Sequence, residues 1–210
     1  MHFFEFRARN NNFGIKLRTV YLITAPSGAG KTSLIKNIIE NHKVKLGISY
    51  TTREARPGEI HGADYFFIDK NRFEAMIQAG DFFEYAEVFG NMYGTAKKSL
   101  ELSTDVILEI DWQGALAVKE QLEVGPVVWI YIVPPSISVL EQRLVARNCN
   151  SGDIKQRLAQ AKTDLEYARF ADYIVFNDDF KKASRCLNSI ILSEGLRTAR
   201  HFDRIDSIIK

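Results

Sequence analysis

Residues 20–32 decide the fold, and they read Val20-Tyr21-Leu22-Ile23-Thr24-Ala25-Pro26-Ser27-Gly28-Ala29-Gly30-Lys31-Thr32. Residues 20–24 are mostly apolar and β-prone, which predicts a buried strand. Residues 25–32 match the phosphate-binding pattern G-x-x-x-x-G-K-[ST], with Ala25 in place of the first glycine. Apolar residues then recur at helical spacing, at Leu34, Ile35, Ile38 and Ile39. The stretch therefore predicts a strand, a phosphate-binding loop and a helix.

The chemistry of such a loop assigns a role to each of its parts. Its backbone N–H groups and the following helix N-terminus surround phosphates, Lys31 reaches the β- and γ-oxygens, and the Thr32 hydroxyl binds Mg²⁺. A glycine-rich turn with an exposed lysine is the alternative, and the flanking strand and helix disfavour it. The predicted nucleotide-binding residues of this segment are Ala25, Pro26, Ser27, Gly28, Ala29, Gly30, Lys31, Thr32 and Ser33.

The composition is that of an ordinary globular protein. The chain has 210 residues, of which 46% are hydrophobic and 26% charged, so one domain with inserted lobes is expected. A net charge of +2 does not indicate a nucleic-acid partner, and no apolar run is long enough to span a membrane. The two cysteines, Cys149 and Cys186, lack paired spacing, and the histidines lack metal-ligand spacing. We therefore expect a cytoplasmic protein without membrane or nucleic-acid partners.

Hydrophobic patterns outside the loop predict an α/β fold. Apolar runs at residues 106–108, 127–133 and 173–176 alternate with helical patterns, as in βαβ units on a parallel sheet. Short aromatic segments between glycine turns predict a small antiparallel lobe inserted at residues 47–99, called the inserted lobe below. Residues 136–169 are predicted to form a helical lid. The predicted domain spans 19–210, with its core at 19–46, 100–135 and 170–210, and residues 1–18 are expected to form a poorly ordered extension.

Six further motifs follow in a fixed order, and the family resemblance depends on them. They are S-x-x-T-R-x-x-R-P-G-E from Ser49, G-x-D-Y-x-F from Gly62, F-x-E-Y-A from Phe82, Y-G-T from Tyr93, D-W-Q-G from Asp111 and N-D-D from Asn177. With the phosphate loop and a lid of spaced arginines, the chain resembles the guanylate kinase family from about Val20 to the C-terminal helix. The resemblance implies a P-loop nucleotide kinase that moves the γ-phosphoryl group of ATP to GMP with Mg²⁺. The inserted lobe would then be the GMP-binding lobe.

The resemblance also assigns the acceptor site residue by residue. Arg53, Arg56, Tyr65 and Tyr93 would bind the phosphate of GMP, and Ser49, Glu84 and Thr95 would read the guanine. The residue types suit these roles, because arginine offers a fork of donors to phosphate and a carboxylate accepts from guanine N1–H and its 2-amino group. Without the resemblance, the arginines would be interpreted as a solvated face and the tyrosines as packed aromatics.

Two acidic residues end the strand at 106–108. Strand alternation points Glu109 and Asp111 the same way, at the edge where α/β sheets bind ligands. The resemblance implies that Glu109 and Asp111 belong to the GMP side, where Asp111 would help to bind GMP or would hold the water shell of Mg²⁺, although Glu109 stands where the family usually has Asp. The alternative is a pair that caps the next helix through Gln113 and Gly114.

The lid contributes the remaining candidates. Arg143 and Arg147 are spaced four apart on one helix face, and Arg157 is expected to begin the next helix. By resemblance, these arginines act with Lys31 on the transferring phosphates, and Asn177 lies beside the adenine.

Two rival functions stay open in the sequence. One is a non-catalytic scaffold module of the same family, which typically lacks the loop and lid residues that this chain has. The other is a related kinase that phosphorylates a ribose phosphate. The sequence leaves open whether the chain is a monomer or a homo-oligomer, and whether dGMP also serves.

Overall fold

The computed structural model describes residues 18–100, 104–120, 126–146 and 151–210. The strands are β1 (Val20–Thr24), β2 (Val44–Gly47), β3 (Tyr50–Thr51), β4 (Phe66–Phe67), β5 (Phe82–Val88), β6 (Asn91–Ala96), β7 (Asp105–Glu109), β8 (Val127–Val133) and β9 (Tyr173–Phe176). The α-helices are α1 (Lys31–Asn41), α2 (Lys70–Gln78), α3 (Trp112–Glu120), α4 (Ile137–Val145), α5 (Ser151–Glu166), α6 (Phe180–Gly195) and α7 (Phe202–Ile209). Residues 1–17 of the predicted extension lie outside the described residues.

The larger sheet of the described chain has five parallel strands in the order β2-β7-β1-β8-β9. Its central strand β1 is buried on both faces, as its apolar sequence predicts. Tyr21 and Ile23 pack with α1 and α6, whereas Val20 and Leu22 pack with α3. The predicted α/β fold is confirmed, and β2 is an addition to it, since its short Val-Lys-Leu-Gly sequence carries little strand signal.

The smaller sheet forms the inserted lobe, with strand order β4-β3-β6-β5. The predicted antiparallel pairing is confirmed for β3 with β6 and for β5 with β6, whereas β3 and β4 run parallel. Helix α2 closes its core with Phe73, which stacks on Phe82 at a centroid distance of 4.4 Å. The pairing register shifts between Phe82 and Glu84. Such an irregularity re-aims side chains, and both of these residues are buried.

The topology brings two predicted site segments to one edge of the larger sheet. Ile23 of β1 lies beside Glu109 of β7 in the parallel register, so the loop after β1 begins next to Glu109. The inserted lobe lies between β2 and β7 in the chain, and both of these strands end at that edge. Within the described ranges, no helix is both long and apolar enough to cross a membrane.

Candidate active site

The phosphate loop has the backbone that its glycines allow. Gly28 and Gly30 have φ angles of 90° and 94°, in the left-handed region that favours glycine. A side chain at Gly30 would also meet Asn177, whose Nδ2 lies 2.5 Å from the position of an added Cβ. Gly30 ends the loop as the N-cap of α1, and no side chain caps that N-terminus. The helix therefore presents free N–H groups, as an anion site requires.

Lys31 and Thr32 are held beside the carboxyl end of β7. The Lys31 Nζ donates to the carbonyl oxygen of Ile110 at 3.1 Å and lies 3.9 Å from Glu109 Oε1. The Thr32 hydroxyl donates to the same Glu109 oxygen at 3.0 Å. Glu109 therefore faces the phosphate loop, and its predicted contact with GMP stays a prediction.

The carbonyl groups of the loop are held by side chains from the lid and from the residue that follows β9. Arg143 Nη1 lies 3.3 Å from the carbonyl oxygens of both Gly28 and Ala29. Asn177 is buried, and its Nδ2 donates to the Ala29 carbonyl at 2.6 Å. Asn177 thus supports the loop directly, and its predicted place beside the adenine stays a prediction.

The lid places a second arginine beside the phosphate loop, where it contacts a side chain of the loop rather than its backbone. Arg157 Nη1 donates to the Ser27 hydroxyl at 3.0 Å. The expectation that Arg157 begins its helix is wrong, since α5 begins at Ser151 and Arg157 lies well inside it. The predicted lid residue Arg147 lies outside the described residues.

The three residues predicted to read a base lie together in the inserted lobe. Glu84 and Thr95 are paired across β5 and β6, and the Ser49 and Thr95 hydroxyl oxygens are 3.5 Å apart. Glu84 is only 7% exposed. The pKa of its carboxyl is raised to about 7, chiefly by burial; hydrogen bonds from Thr95 oppose the rise, and the charge of Asp111 adds to it. This buried acid accepts hydrogen bonds from the hydroxyl and the backbone of Thr95, and it lines the cavity described below.

A glycine makes space for this carboxylate, and the sequence analysis missed its role. A Cβ added to Gly114 of α3 would lie 2.6 Å from Glu84 Oε2 and 3.2 Å from Glu84 Cδ. Side-chain atoms cannot approach that closely, so the carboxylate occupies its place only because residue 114 lacks a side chain. The sequence feature that could have indicated this role is the glycine that ends the D-W-Q-G motif.

An arginine and two tyrosines form the other part of the lobe's inner surface. The Arg53 guanidinium makes two hydrogen bonds of 2.9 Å to Glu59 and lies 5.6 Å from the centroid of the Tyr65 ring. The Tyr65 and Tyr93 rings meet edge to face at 5.9 Å. Burial opposes the charge of Arg53, but hydrogen bonds to Glu59 and Tyr93 outweigh it and raise the pKa of Arg53. Arg56 is exposed beside this cluster, and its backbone N–H donates to Glu59.

Asp111 takes the role that the alternative interpretation assigned to it. Its Oδ1 accepts from the Gly114 N–H at 2.9 Å and its Oδ2 from Gln113 Nε2 at 3.1 Å. Asp111 therefore caps α3. Its predicted roles with GMP and with the water shell of Mg²⁺ stay predictions.

One cavity of about 480 Å³ joins these groups. Its wall contains the predicted residues 25–33, Ser49, Arg53, Arg56, Tyr65, Glu84, Tyr93, Glu109, Asp111 and Arg157. Thr95, Arg143 and Asn177 lie behind that wall, bonded to residues within it. The residues of this wall that the sequence analysis did not single out include Glu59, Phe89 and Asp164. Across the described ranges, no group of three His, Cys, Asp or Glu residues is placed to hold a metal ion.

Asp164 is the missed residue on the lid side. Its Oδ1 accepts from Trp112 Nε1 at 3.0 Å and from Gln160 Nε2 at 2.8 Å. Burial raises its pKa, and those two hydrogen bonds oppose the rise. No motif marks this aspartate in the sequence, because its partners lie on two different helices.

The structure has a phosphate loop at the carboxyl edge of a parallel sheet. Across the cavity, the inserted lobe contributes an arginine–tyrosine cluster and a buried acid. Together these features define a P-loop kinase of small phosphorylated acceptors. Comparison with known proteins is more specific. A model of the guanylate kinase family matches residues 17–194. The guanylate kinase of Geobacter sulfurreducens is 44% identical over 195 residues, covering 90% of this chain and 95% of that protein. That of Escherichia coli K12 is 42% identical over 199 residues, covering 91% and 95%.

A solved structure agrees with the sequence relatives. The crystal structure of guanylate kinase from Anaplasma phagocytophilum is 31% identical to this chain and superimposes with a TM-score of 0.72, covering 88% of this chain and 90% of that one. The chain therefore belongs to the guanylate kinase family, and it is a nucleoside monophosphate kinase.

Proposed function

We infer that this chain transfers the γ-phosphoryl group of ATP to GMP, giving ADP and GDP. The observation that carries this proposal is a single cavity with a phosphate loop on one wall and a base-reading set on the other. Ser49, Glu84 and Thr95 meet in the lobe, and a carboxylate there suits guanine, which offers two adjacent N–H donors. A cytoplasmic role in recycling GMP fits a sequence with only two cysteines, which lack paired spacing.

The acceptor phosphate would bind at the arginine–tyrosine cluster. Arg53 and Arg56 bring positive charge to the same wall as the Tyr65 and Tyr93 hydroxyls. The Nε of Arg53 is buried and has no hydrogen-bond partner within the described part of the chain, so this donor is unsatisfied without a ligand. Glu59 holds the Arg53 fork in place and offsets part of its charge.

The donor phosphates would bind at the loop. Lys31 and the N–H groups at the start of α1 would surround them, and Arg143 and Arg157 approach the loop from the lid. The Thr32 hydroxyl and the Glu109 carboxylate, 3.0 Å apart, are oxygen ligands of the kind that Mg²⁺ takes directly or through its waters. When bound, Mg²⁺ offsets negative charge on the β- and γ-phosphates.

The chemical step needs no general base from the protein. An oxygen of the GMP phosphate is already anionic and attacks the γ-phosphorus, while the bond to the β,γ-bridging oxygen breaks and ADP leaves with that electron pair. The side chains align the two phosphates and stabilise charge on the transferring group. Closure of the lid and lobe would exclude water, which could otherwise accept the phosphoryl group.

An ADP-release assay tests the proposal directly. With ATP and Mg²⁺, we expect turnover with GMP and at least about a hundredfold lower kcat/KM with AMP, UMP and ribose 5-phosphate, because only guanine offers paired donors to Glu84. A preference for ribose 5-phosphate would support the alternative kinase. Binding of GMP without any ADP release would support the scaffold module.

Gly114→Ala tests whether the position of Glu84 matters. We expect kcat/KM for GMP to fall by about ten- to a hundredfold, because the added methyl displaces the carboxylate by a large part of an ångström. The gain of about 1 kcal/mol in helix propensity offsets part of the cost of this displacement, so the variant should stay folded, and its melting temperature checks this. Gly195→Ala is the matched control, because its added Cβ meets nothing within 4 Å. A wild-type kcat/KM for GMP in Gly114→Ala would show that this close contact has no role in base reading.

A further inference from the structure

The tip of the β5–β6 hairpin has an unusual backbone. Phe89 and Gly90 form the turn between Val88 and Asn91, with φ angles of 50° and 74°. Among the residues that the structure describes, Phe89 is the one non-glycine residue with a positive φ. Two-residue turns of this kind favour asparagine, aspartate or glycine, which tolerate that conformation better than an aromatic residue. Turn formation alone therefore does not explain a phenylalanine at this position.

The Phe89 ring contacts the lid. The Arg157 guanidinium carbon lies over the ring, 5.2 Å from its centroid, and Phe89 lines the same cavity as the phosphate loop. The same guanidinium donates to the Ser27 hydroxyl at 3.0 Å. Arg157 therefore connects three parts of the molecule, which are its own helix α5, the phosphate loop and the tip of the inserted lobe.

We propose that Phe89 is a positioning residue that holds the Arg157 guanidinium over the phosphate loop when the inserted lobe and the lid approach each other. This inference rests on the proposed phosphoryl transfer. An aromatic partner suits the task, because it attracts a cation through the ring face and accepts no conventional hydrogen bond. The N–H donors in the guanidinium plane thus stay available to phosphate oxygens. A carboxylate at the same place would occupy those donors and offset the charge.

The proposal also links acceptor binding to the lid. Phe89 lies at the tip of the β5–β6 hairpin. The same hairpin contains Glu84 on β5 and Tyr93 and Thr95 on β6, which are proposed to hold GMP. Movement of this hairpin toward bound GMP would carry the Phe89 ring with it. Phe89 would then align Arg157 once the acceptor is in place, which favours transfer to GMP over transfer to water.

Replacing Phe89 with Asn separates this role from a role in the turn. Asparagine suits the turn at least as well, so the melting temperature should not fall. We expect kcat to fall about three- to thirtyfold, with the KM for GMP within about twofold of wild type. Phe89→Tyr keeps the ring and should keep most of the activity. Tyr85→Asn, which removes an exposed ring from the same hairpin, is the control for aromatic loss.

A double-mutant cycle with Arg157→Ala decides the mechanism. If Phe89 acts through Arg157, Phe89→Asn should lower kcat by less than about twofold once Arg157 is absent. An equal loss in both backgrounds, an unchanged kcat in Phe89→Asn alone, or a raised KM for GMP with normal kcat would each overturn the proposal. Activity is measured with whichever monophosphate the wild-type enzyme accepts, so a failure of the GMP assignment is seen in the wild type and is distinct from a failure of this inference.

Discussion

Lys31→Met is expected to lower kcat by about a thousandfold or more while the KM for GMP stays close to the wild-type value. The Lys31 ammonium group is held at the mouth of the loop by the Ile110 carbonyl at 3.1 Å, next to the free N-terminus of α1. Negative charge on the β,γ-bridging oxygen and on the other β-phosphate oxygens increases as ADP leaves, so a cation at this position acts mainly in the transition state. Methionine keeps the length of the side chain and removes its charge.

Steady-state rates and direct GMP binding together measure this effect. Lys43→Met is the matched control, because Lys43 is an exposed lysine just beyond the far end of α1. It should retain wild-type kcat. A folded Lys31→Met protein with near-normal turnover would contradict the assignment of the phosphate loop, whereas weaker GMP binding alone would place Lys31 on the acceptor side.

The parts of the fold that sequence predicts are those with strong local patterns. The run at Val127–Val133 is almost wholly apolar and forms an internal strand of the sheet, and the loop at residues 25–32 combines a motif with a flanking strand and helix. By contrast, β2 is short and its pairing partner β7 is far away in the chain, and the two-residue strand β4 pairs parallel to β3 rather than antiparallel. Local propensity carries little information about such strands, because long-range pairing stabilises them.

The ambiguity of the acidic pair has a simple structural cause. Strand alternation predicts that Glu109 and Asp111 share a face, but β7 ends at Glu109, so alternation no longer applies to Asp111. Asp111 instead lies just before α3, where its carboxylate caps the helix. Contacts such as Glu59 with Arg53, or Glu84 with Gly114, depend on how a turn or two separate elements pack, and no periodicity in the sequence encodes them.

The raised pKa of Glu84 predicts a pH dependence of GMP use. The carboxyl of the ligand-free protein titrates at about 7 rather than 4.5, so its ionisation favours the unfolded chain. The free energy of unfolding should therefore fall by roughly 3 kcal/mol as the pH rises from 4.5 to 7.

Guanine supplies two N–H donors that stabilise the carboxylate, so GMP should bind the ionised form. Below pH 7, the KM for GMP should rise about tenfold for each pH unit, in addition to the effect of the substrate's own phosphate titration.

Glu84→Gln is expected to lower kcat/KM for GMP at pH 8 by about 30- to 1,000-fold, equivalent to about 2–4 kcal/mol. The amide keeps the size of Glu84 but must turn an NH₂ group toward a guanine donor, which leaves a buried donor unpaired. AMP has an acceptor at N1, so the wild-type carboxylate repels it and the glutamine can donate to it. The GMP-to-AMP preference should therefore fall by more than the GMP rate does. In Glu84→Gln, the KM for GMP should vary with pH only as far as the titration of the substrate phosphate requires. Glu87→Gln is the control, because Glu87 is exposed on the same strand, and it should behave as wild type. If Glu84→Gln keeps the wild-type GMP rate and the wild-type rejection of AMP, Glu84 does not read the base.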